Sequence, residues 1–383
     1  MKILITGANG FIGKNLLAAL RSQLETRPSV LLPTDLDTPR EDLAAACAEA
    51  DFVYHLAGVN RPKDEAEFQE GNVDFTAWLL TMLEAGRRPP LLLTSSTQAR
   101  LENPYGHSKR MAEEAVRAYA KRTGAPAYIY RLTNAFGKWS LPNHNSAVAT
   151  FCHNLTRNLA VQVHDPTVML QLSYIDDIIA EFLRALDGQP THEGDFCHVH
   201  PVYSATLDEV VKRLIHFRDS REKLDTVDQS DPFTRKLFAT YLSFLPTGDF
   251  ARFPKVHADA RGSFAELLHM NGYGQVSCNV TLPHVTKGDH WHQTKHETFI
   301  VVSGEGVIRF RRVDDSAEVI SYPVGGNQPA LVDIPPGYTH HIENTGNTPL
   351  VTLMWANEPF DPSRPDTYPM PVQPQQKTTG AMT

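Results

Sequence analysis

The sequence is poor in several features that would assign a chain quickly. No apolar run approaches the roughly 18 residues that a membrane helix needs, so no membrane span is expected. The four cysteines, Cys47, Cys152, Cys197 and Cys278, are scattered, with no C-x-x-C pair and no metal-ligand spacing. That argues against a disulfide scaffold and for small buried side chains in a reducing compartment. Positive charge is in deficit: 36 Lys and Arg stand against 44 Asp and Glu, for a net charge of −8 and a pI of about 6.1. No basic patch stands out, so nucleic acid is not an expected partner. An anionic substrate must then be held by local groups rather than by a global field. No internal repeat is visible. The opening MKILITGANGFIG carries one positive charge, a short apolar run broken by glycines and no small-residue cleavage site. It reads as a strand and turn rather than a secretion signal, and a cytoplasmic protein is expected.

At 383 residues the chain is long enough for two ordinary domains, and its texture changes once. The first part alternates short β runs with amphipathic stretches. Strands are expected at 2–6, 30–32, 52–56, 91–94 and 127–131, with helices between them at about 14–24, 39–50, 73–86 and 105–122. The helix near 40 is opened by Thr38-Pro39-Arg40-Glu41, which has the form of a capping box with Pro at the first helical position. Helices over 207–217 and 231–243 close this part. Such alternation predicts a parallel sheet wound on both faces. After about residue 247, β-rich segments punctuated by Gly and Pro take over, at 275–281, 297–302, 306–310, 319–322, 331–334 and 350–355. That spacing suggests a sandwich or jelly-roll barrel. The expected fold class is α/β, a Rossmann-like doubly wound sheet over 1–247, followed by an all-β barrel over 248–370. Residues 371–383, rich in Pro, Gln and Thr, read as a flexible tail.

Gly7-Ala8-Asn9-Gly10-Phe11-Ile12-Gly13 follows the first strand and opens the first helix. The first glycine permits a tight turn, the second lets backbone approach a pyrophosphate, and the third lets helix pack on strand. Phosphates would lie at the helix N-terminus, where free N–H groups and the positive dipole end point. The spacing is GxxGxxG, and it resembles the extended branch of the short-chain dehydrogenase/reductase superfamily. His55-Leu56-Ala57-Gly58, Thr94-Ser95-Ser96 and the YxxxK run Tyr105-Gly106-His107-Ser108-Lys109 strengthen the resemblance. Positions i and i+4 share a helix face, so Lys109 can stand beside the Tyr105 phenol and lower its pKa towards neutrality. A tyrosine so tuned can pass a proton to a carbonyl oxygen while hydride reaches the carbon. Ser96 would hold that oxygen, with Ser95 as the alternative. The resemblance makes Gly7, Asn9, Gly10, Phe11, Ile12, Gly13, Leu56, Ala57, Tyr105 and Lys109 contacts of a nicotinamide dinucleotide. Asn134, in Arg131-Leu132-Thr133-Asn134-Ala135-Phe136-Gly137, would contact substrate. Asp176 and Asp177 read equally as binding residues or as carboxylates favouring a helix N-terminus. An acidic residue about 20 positions beyond the glycine turn would bond the ribose 2′-OH of NAD. Asp35 and Asp37 follow the second strand in what reads as a loop, so the residues alone leave NAD and NADP both open.

Histidines concentrate in the second part. Gly288-Asp289-His290-Trp291-His292 is followed by Glu297 and Gly304, then by Pro335-Pro336-Gly337-Tyr338-Thr339-His340-His341-Ile342-Glu343-Asn344. These stretches resemble the two cupin motifs. Alternate strand residues share a face, so His290 and His292 can point inward together, with Glu297 and His340 arriving from neighbouring strands. Three imidazoles and one carboxylate suit a divalent metal, zinc first, with iron, manganese and nickel open. His296 and His341 adjoin ligands in sequence and would point the other way.

Few chains join these two parts in this order. His55–Pro62, Asn103–Gly106, Phe136–Trp139, Thr240–Pro246, Asp259–Phe264, Val301–Phe310 and Phe360–Pro362 together resemble the CapF (WbjC/FnlB) family of capsular polysaccharide synthesising enzymes. The resemblance implies a homodimer that uses NADP(H) on a UDP-linked 4-keto-6-deoxy-N-acetylhexosamine. It implies C3 epimerisation in the cupin part, then C4 reduction by Ser96, Tyr105 and Lys109, giving UDP-2-acetamido-2,6-dideoxy-L-talose, a precursor of UDP-N-acetyl-L-fucosamine. His296, Tyr338 and His341 are the candidates for the epimerisation base. A plain reductase with a structural cupin, an NADP-binding redox sensor and a metal-dependent oxygenase are the competing readings.

Overall fold

The computed structural model describes residues 1–271, 273–314 and 318–373. The chain divides into two compact units. One comprises Met1–His216 with Ser230–Thr247, and the other comprises Phe217–Gln229 with the residues from Gly248 onward.

The first unit is built from β1 (Lys2–Thr6), α1 (Phe11–Ser22), β2 (Val30–Thr34), α2 (Arg40–Glu49), β3 (Phe52–His55), α3 (Ala66–Phe68), α4 (Phe75–Ala85), β4 (Leu91–Ser96), α5 (Pro104–Thr123), β5 (Ala127–Leu132), β6 (Asn134–Phe136), α6 (Ala147–Leu155), β7 (Met169–Tyr174), α7 (Ile175–Leu186), β8 (His192–Glu193), β9 (Phe196–Cys197), β10 (Tyr203–Thr206), α8 (Leu207–Glu222) and α9 (Pro232–Ser243). α8 runs across the division between the units. The main sheet has the order β2-β1-β3-β4-β5-β9-β8, parallel through β9, with β8 antiparallel at the edge. A parallel sheet needs cover on both faces, and the period-two alternation of β1 provides it. Ile3 and Ile5 enter one core with Leu16, Leu20, Ile178 and Phe182. Leu4, between them, enters the opposite core with Leu43, Leu79, Leu83 and Val116.

The expected helices and strands of this unit are present, most within a few residues of the expected ends. The capping box at residue 38 does not form. α2 begins after Pro39 without a side-chain cap, and the Thr38 hydroxyl accepts from the Asp35 backbone N–H instead. A threonine next to a tight turn can satisfy either set of donors, and here the turn after β2 takes it.

The second unit contains β11 (Val256–Asp259), β12 (Gly262–His269), β13 (Gln275–Thr281), β14 (Thr286–Trp291), β15 (Glu297–Ser303), β16 (Glu305–Arg312), β17 (Ile320–Gly325), β18 (Leu331–Ile334), β19 (Tyr338–Asn344), β20 (Leu350–Ala356) and β21 (Tyr368–Pro369). They form two antiparallel sheets, β11-β12-β13-β20-β15-β18 and β17-β16-β19-β14-β21. Phe299, Val301, Ile308, Phe310, Ile334, Ile342 and Leu350, drawn from both sheets, pack together as the core. Pro371 and Val372, assigned to the tail by composition, are held in place. The Arg311 guanidinium donates to both of their carbonyls, and Val372 is fully buried. The remainder of the expected tail, 374–383, lies outside the described residues.

Among the described residues, no helix is long and apolar enough to cross a membrane.

Candidate active site and metal centre

The turn from β1 into α1 is shaped by close backbone approach. Gly7 has φ +70°, and a Cβ there would lie 2.8 Å from the Ala57 nitrogen. A Cβ at Gly13 would lie 2.3 Å from the Gly7 carbonyl oxygen, which helix packing forbids. Gly10 is the extended N-cap of α1 and has no side-chain cap, so the first N–H groups of the helix are left to a ligand. Leu56 and Ala57 lie beneath the turn, their N–H groups bonded to the Thr6 carbonyl and hydroxyl at 3.3 Å each. Phe11 and Ile12 anchor the helix start against the core. Asp35 follows β2 directly. One carboxylate oxygen accepts from the Asn9 N–H at 2.7 Å and the other from the Leu36 N–H at 2.8 Å, so the acid is fastened to the glycine turn.

Ser96 ends β4, and Tyr105 and Lys109 stand one turn apart on α5. Asn103 caps that helix by accepting from the Gly106 N–H at 2.7 Å. The structure separates the two candidate serines. Ser95 is buried and donates to Glu113 at 2.5 Å, whereas Ser96 is hydrogen-bonded with Tyr105 and accepts from the Gln98 N–H at 3.1 Å. The expected lowering of the phenol is not what the geometry produces. Burial pushes Tyr105 up, opposed by the Ser96 hydrogen bond. Lys109 lies 5.9 Å from the ring centre and donates to the Thr94 carbonyl at 3.3 Å. Burial pushes Lys109 down from 10.5 to about 8, with the Glu113 carboxylate opposing.

Sequence reasoning missed two parts of this cluster. Glu113, buried and one turn beyond Lys109, is clasped by Arg131 at 2.6 and 2.9 Å, which ties α5 to β5. Asn72 lies in a π-helical turn over Gln69–Asp74, bonds both backbone groups of Val59 and donates to Ser108 at 3.0 Å. A side chain on Gly58 would collide with the Lys109 ammonium and the Asn72 carboxamide, each 2.9 Å from the Cβ position. The π turn has no sequence signature, but Glu113 was legible as a carboxylate at i+4 from Lys109. Asn134 is exposed at the start of β6. Asp176 pairs with Lys138, and Asp177 pairs with Lys236 at 2.6 Å, so both acids are engaged by lysines at the start of α7.

In the second unit, His290, His292, Glu297 and His340 bring one donor atom each to within 4.8 Å of one another. The expected arrangement needs two corrections. β14 ends at Trp291, after a bulge at Asp289, and His292 lies just beyond it. His340 pairs with His290 across β14 and β19, while Glu297 belongs to the other sheet and is not on a neighbouring strand of theirs. The Glu297 carboxylate lies 3.5 Å from His292 Nε2 and 3.6 Å from His340 Nε2. All three of these atoms are buried without a hydrogen-bond partner. Burial opposes ionisation of Glu297, but His292 and His340 outweigh it and hold the carboxyl well below the usual range. Burial, helped by His340 and His292, pushes His290 down to about 4, so its imidazole is neutral and free to ligate. Orphaned, convergent and buried donors fit a metal ion, since such groups otherwise carry a desolvation penalty. His341 points away from this group and bonds Asp289 at 2.8 Å. His296 is exposed beside Trp355, and Tyr338 shares the face of His340 and packs on the core.

A turn built to receive phosphates and a half-buried Ser-Tyr pair backed by the buried Lys109 place the first unit in the class of dinucleotide-binding short-chain dehydrogenases/reductases. Residues 3–196 match the NAD dependent epimerase/dehydratase family, and residues 257–368 match the polysaccharide biosynthesis C-terminal domain. The UDP-2-acetamido-2,6-beta-L-arabino-hexul-4-ose reductase of Pseudomonas aeruginosa is 41% identical over 371 residues, covering 96% of this chain and 98% of that protein. The crystal structure of the capsular polysaccharide assembling protein CapF from Staphylococcus aureus superposes with a TM-score of 0.91 at 47% identity, covering 97% of this chain and all of that one. A UDP-glucuronic acid 4-epimerase from Bacillus cereus, solved with NAD, shares the fold over 64% of this chain and 98% of its own, at 20% identity and a TM-score of 0.54. The chain belongs to the CapF family.

Proposed function

We propose that the chain is a bifunctional sugar-nucleotide enzyme. Its substrate is UDP-2-acetamido-2,6-dideoxy-4-hexulose. Residues 248–370 invert C3, and residues 1–247 then reduce the C4 ketone with NADPH. The product is UDP-2-acetamido-2,6-dideoxy-L-talose, for UDP-N-acetyl-L-fucosamine and capsule or O-antigen synthesis. On this reading the two β-sheets are a cupin barrel, and the enzyme is a cytoplasmic homodimer. One observation carries it: a dinucleotide turn and a buried three-histidine, one-carboxylate cluster coexist in a chain that matches a UDP-4-ketosugar reductase over 96% of its length.

In the reductase half, Gly7, Asn9, Gly10, Phe11, Ile12 and Gly13, with Leu56 and Ala57, would cradle the dinucleotide. The bound nicotinamide supplies a hydride. Ser96 holds the C4 oxygen by its hydroxyl, Tyr105 gives that oxygen a proton, and the Lys109 ammonium stabilises the phenolate that forms. A phenol held above its ordinary pKa carries its proton at neutral pH, as an acid in the reduction direction must. Asn134 would contact the sugar.

In the cupin half, His290, His292, Glu297 and His340 would hold one divalent metal, zinc first. When bound, such an ion supplies Lewis-acid stabilisation of negative charge on an enolate oxygen. The C4 ketone acidifies the C3 proton, and the chain must remove that proton and return it to the other face. His341 is engaged with Asp289, which leaves His296 and Tyr338 as the groups to test.

Two variants separate the halves. Tyr105→Phe should lose NADPH oxidation and keep C3 proton exchange. His340→Ala should lose bound metal and C3 exchange, yet still oxidise NADPH with the pre-epimerised ketose. Loss of both activities in each variant would refute the division of labour.

A further inference from the structure

The segment that follows β20 returns to the metal cluster and grips it. Residues 365–372 run alongside 289–295. His290 pairs with Pro369, Trp291 pairs with Tyr368 with their rings 4.9 Å apart, and the Met370 and Val372 N–H groups donate to Asp289 at 2.8 and 3.0 Å. At the other end stands Asp366. Its carboxylate accepts from the backbone N–H groups of Gln293, Thr294 and Lys295 at 2.9, 2.9 and 2.8 Å, and from the Thr294 hydroxyl at 3.1 Å. These residues form the connection between His292 and Glu297. The same residue's carbonyl oxygen lies 2.6 Å from His292 Nδ1. A carbonyl can only accept, so the Nδ1 of His292 carries a proton, which leaves Nε2 as the ring nitrogen that can ligate a metal. Asp366 achieves both contacts at φ +39°, a left-handed conformation that costs energy for a residue with a Cβ.

We propose that Asp366 is a positioning residue of the metal centre. Its side chain fixes the 293–295 connection, and that grip holds its own carbonyl where it locks the tautomer and ring of His292. This inference rests on the reading of the cluster as a metal site. Without the carboxylate, three backbone donors lose their acceptor and the carbonyl loses its anchor. The His292 ring is then no longer held with Nδ1 on that carbonyl, and a turned ring or a proton on Nε2 blocks the nitrogen that must ligate.

The test is competition of the full-length protein with a chromogenic chelator for Zn²⁺, read together with thermal unfolding. Asp366→Ala should weaken zinc binding about 10- to 100-fold, the usual effect of removing a group that orients a ligand. Asp366→Asn, which keeps the carbonyl and one side-chain acceptor, should show a smaller loss. Thr294→Ala, which deletes only the hydroxyl contact, should bind zinc as the wild type does. A folded Asp366→Ala that binds zinc with unchanged affinity and merely melts earlier would overturn the proposal and leave Asp366 a purely structural residue. Should Asp366→Ala not fold, Asp366→Asn decides by the same measure, with unchanged affinity overturning the proposal. Failure of the parent reading looks different: wild type and His340→Ala would then take up zinc equally, whatever stands at 366.

Discussion

Replacing Lys109 with methionine should stabilise the protein while destroying its reductase activity. The Lys109 ammonium is buried, and its pKa falls from 10.5 to about 8, with burial the main cause. At neutral pH that difference corresponds to roughly 3 kcal/mol spent on keeping the charge in the folded state, at about 1.4 kcal/mol per pH unit. Methionine fills a similar volume without the charge. It forfeits the hydrogen bond to the Thr94 carbonyl, worth about 1 kcal/mol. A net gain of about 2 kcal/mol in unfolding free energy remains at pH 7. The folded-state pKa lies below the unfolded one, so the unfolded chain keeps its proton to higher pH. Wild-type stability therefore rises between about pH 8 and 10.5, and the advantage of Lys109→Met shrinks over that window. Urea unfolding of the ligand-free protein at pH 7 and 9.5 reads the gap, and NADPH oxidation should fall by at least about 100-fold. A variant less stable than wild type at pH 7, or a gap that ignores pH, would show that the buried Lys109 charge does not cost the fold stability.

Three further outcomes are expected. Tyr105→Phe should lower NADPH oxidation about 100-fold or more without changing metal content, as read by turnover assay and elemental analysis. Gly13→Ala, whose Cβ would press to 2.3 Å from the Gly7 carbonyl, should abolish dinucleotide binding measured by fluorescence titration, because the turn cannot close on the helix. Glu113→Gln removes the carboxylate that supports the Lys109 charge and pairs with Arg131. It should move the alkaline limb of the reductase pH profile below its place near pH 8 and lower the unfolding midpoint of this unit.

The parts of the fold visible in the sequence were those that depend on local pattern. The glycine turn, the alternating strands and helices and the long helix carrying Tyr105 and Lys109 are all short-range features, and the structure contains them. The parts that escaped depend on distant partners. Thr38 had the sequence form of a cap, yet its hydroxyl serves the Asp35 turn. The choice between Ser95 and Ser96 rests on which faces the buried Glu113, 18 residues away. At the His/Glu cluster the four donors could be named from the likeness of their stretches to the cupin motifs. Which sheet supplies Glu297, and that the return of the chain at Asp366 completes the group, depend on how the two sheets meet. Composition assigned Val372 to a loose tail because Pro, Gln and Thr surround it. Its burial follows from Arg311 and Asp289, which lie far away in sequence.

Whether one chain both epimerises and reduces is decided by proton exchange at C3. The wild-type enzyme is incubated with the UDP-4-ketosugar in D₂O, first without and then with NADPH, and product is followed by NMR. Deuterium should enter C3 without NADPH, and when NADPH is added it should be consumed to give a deuterated, C4-reduced sugar. NADPH consumption with no deuterium at C3 would contradict C3 epimerisation and leave a plain reductase whose C-terminal unit performs no chemistry on the sugar.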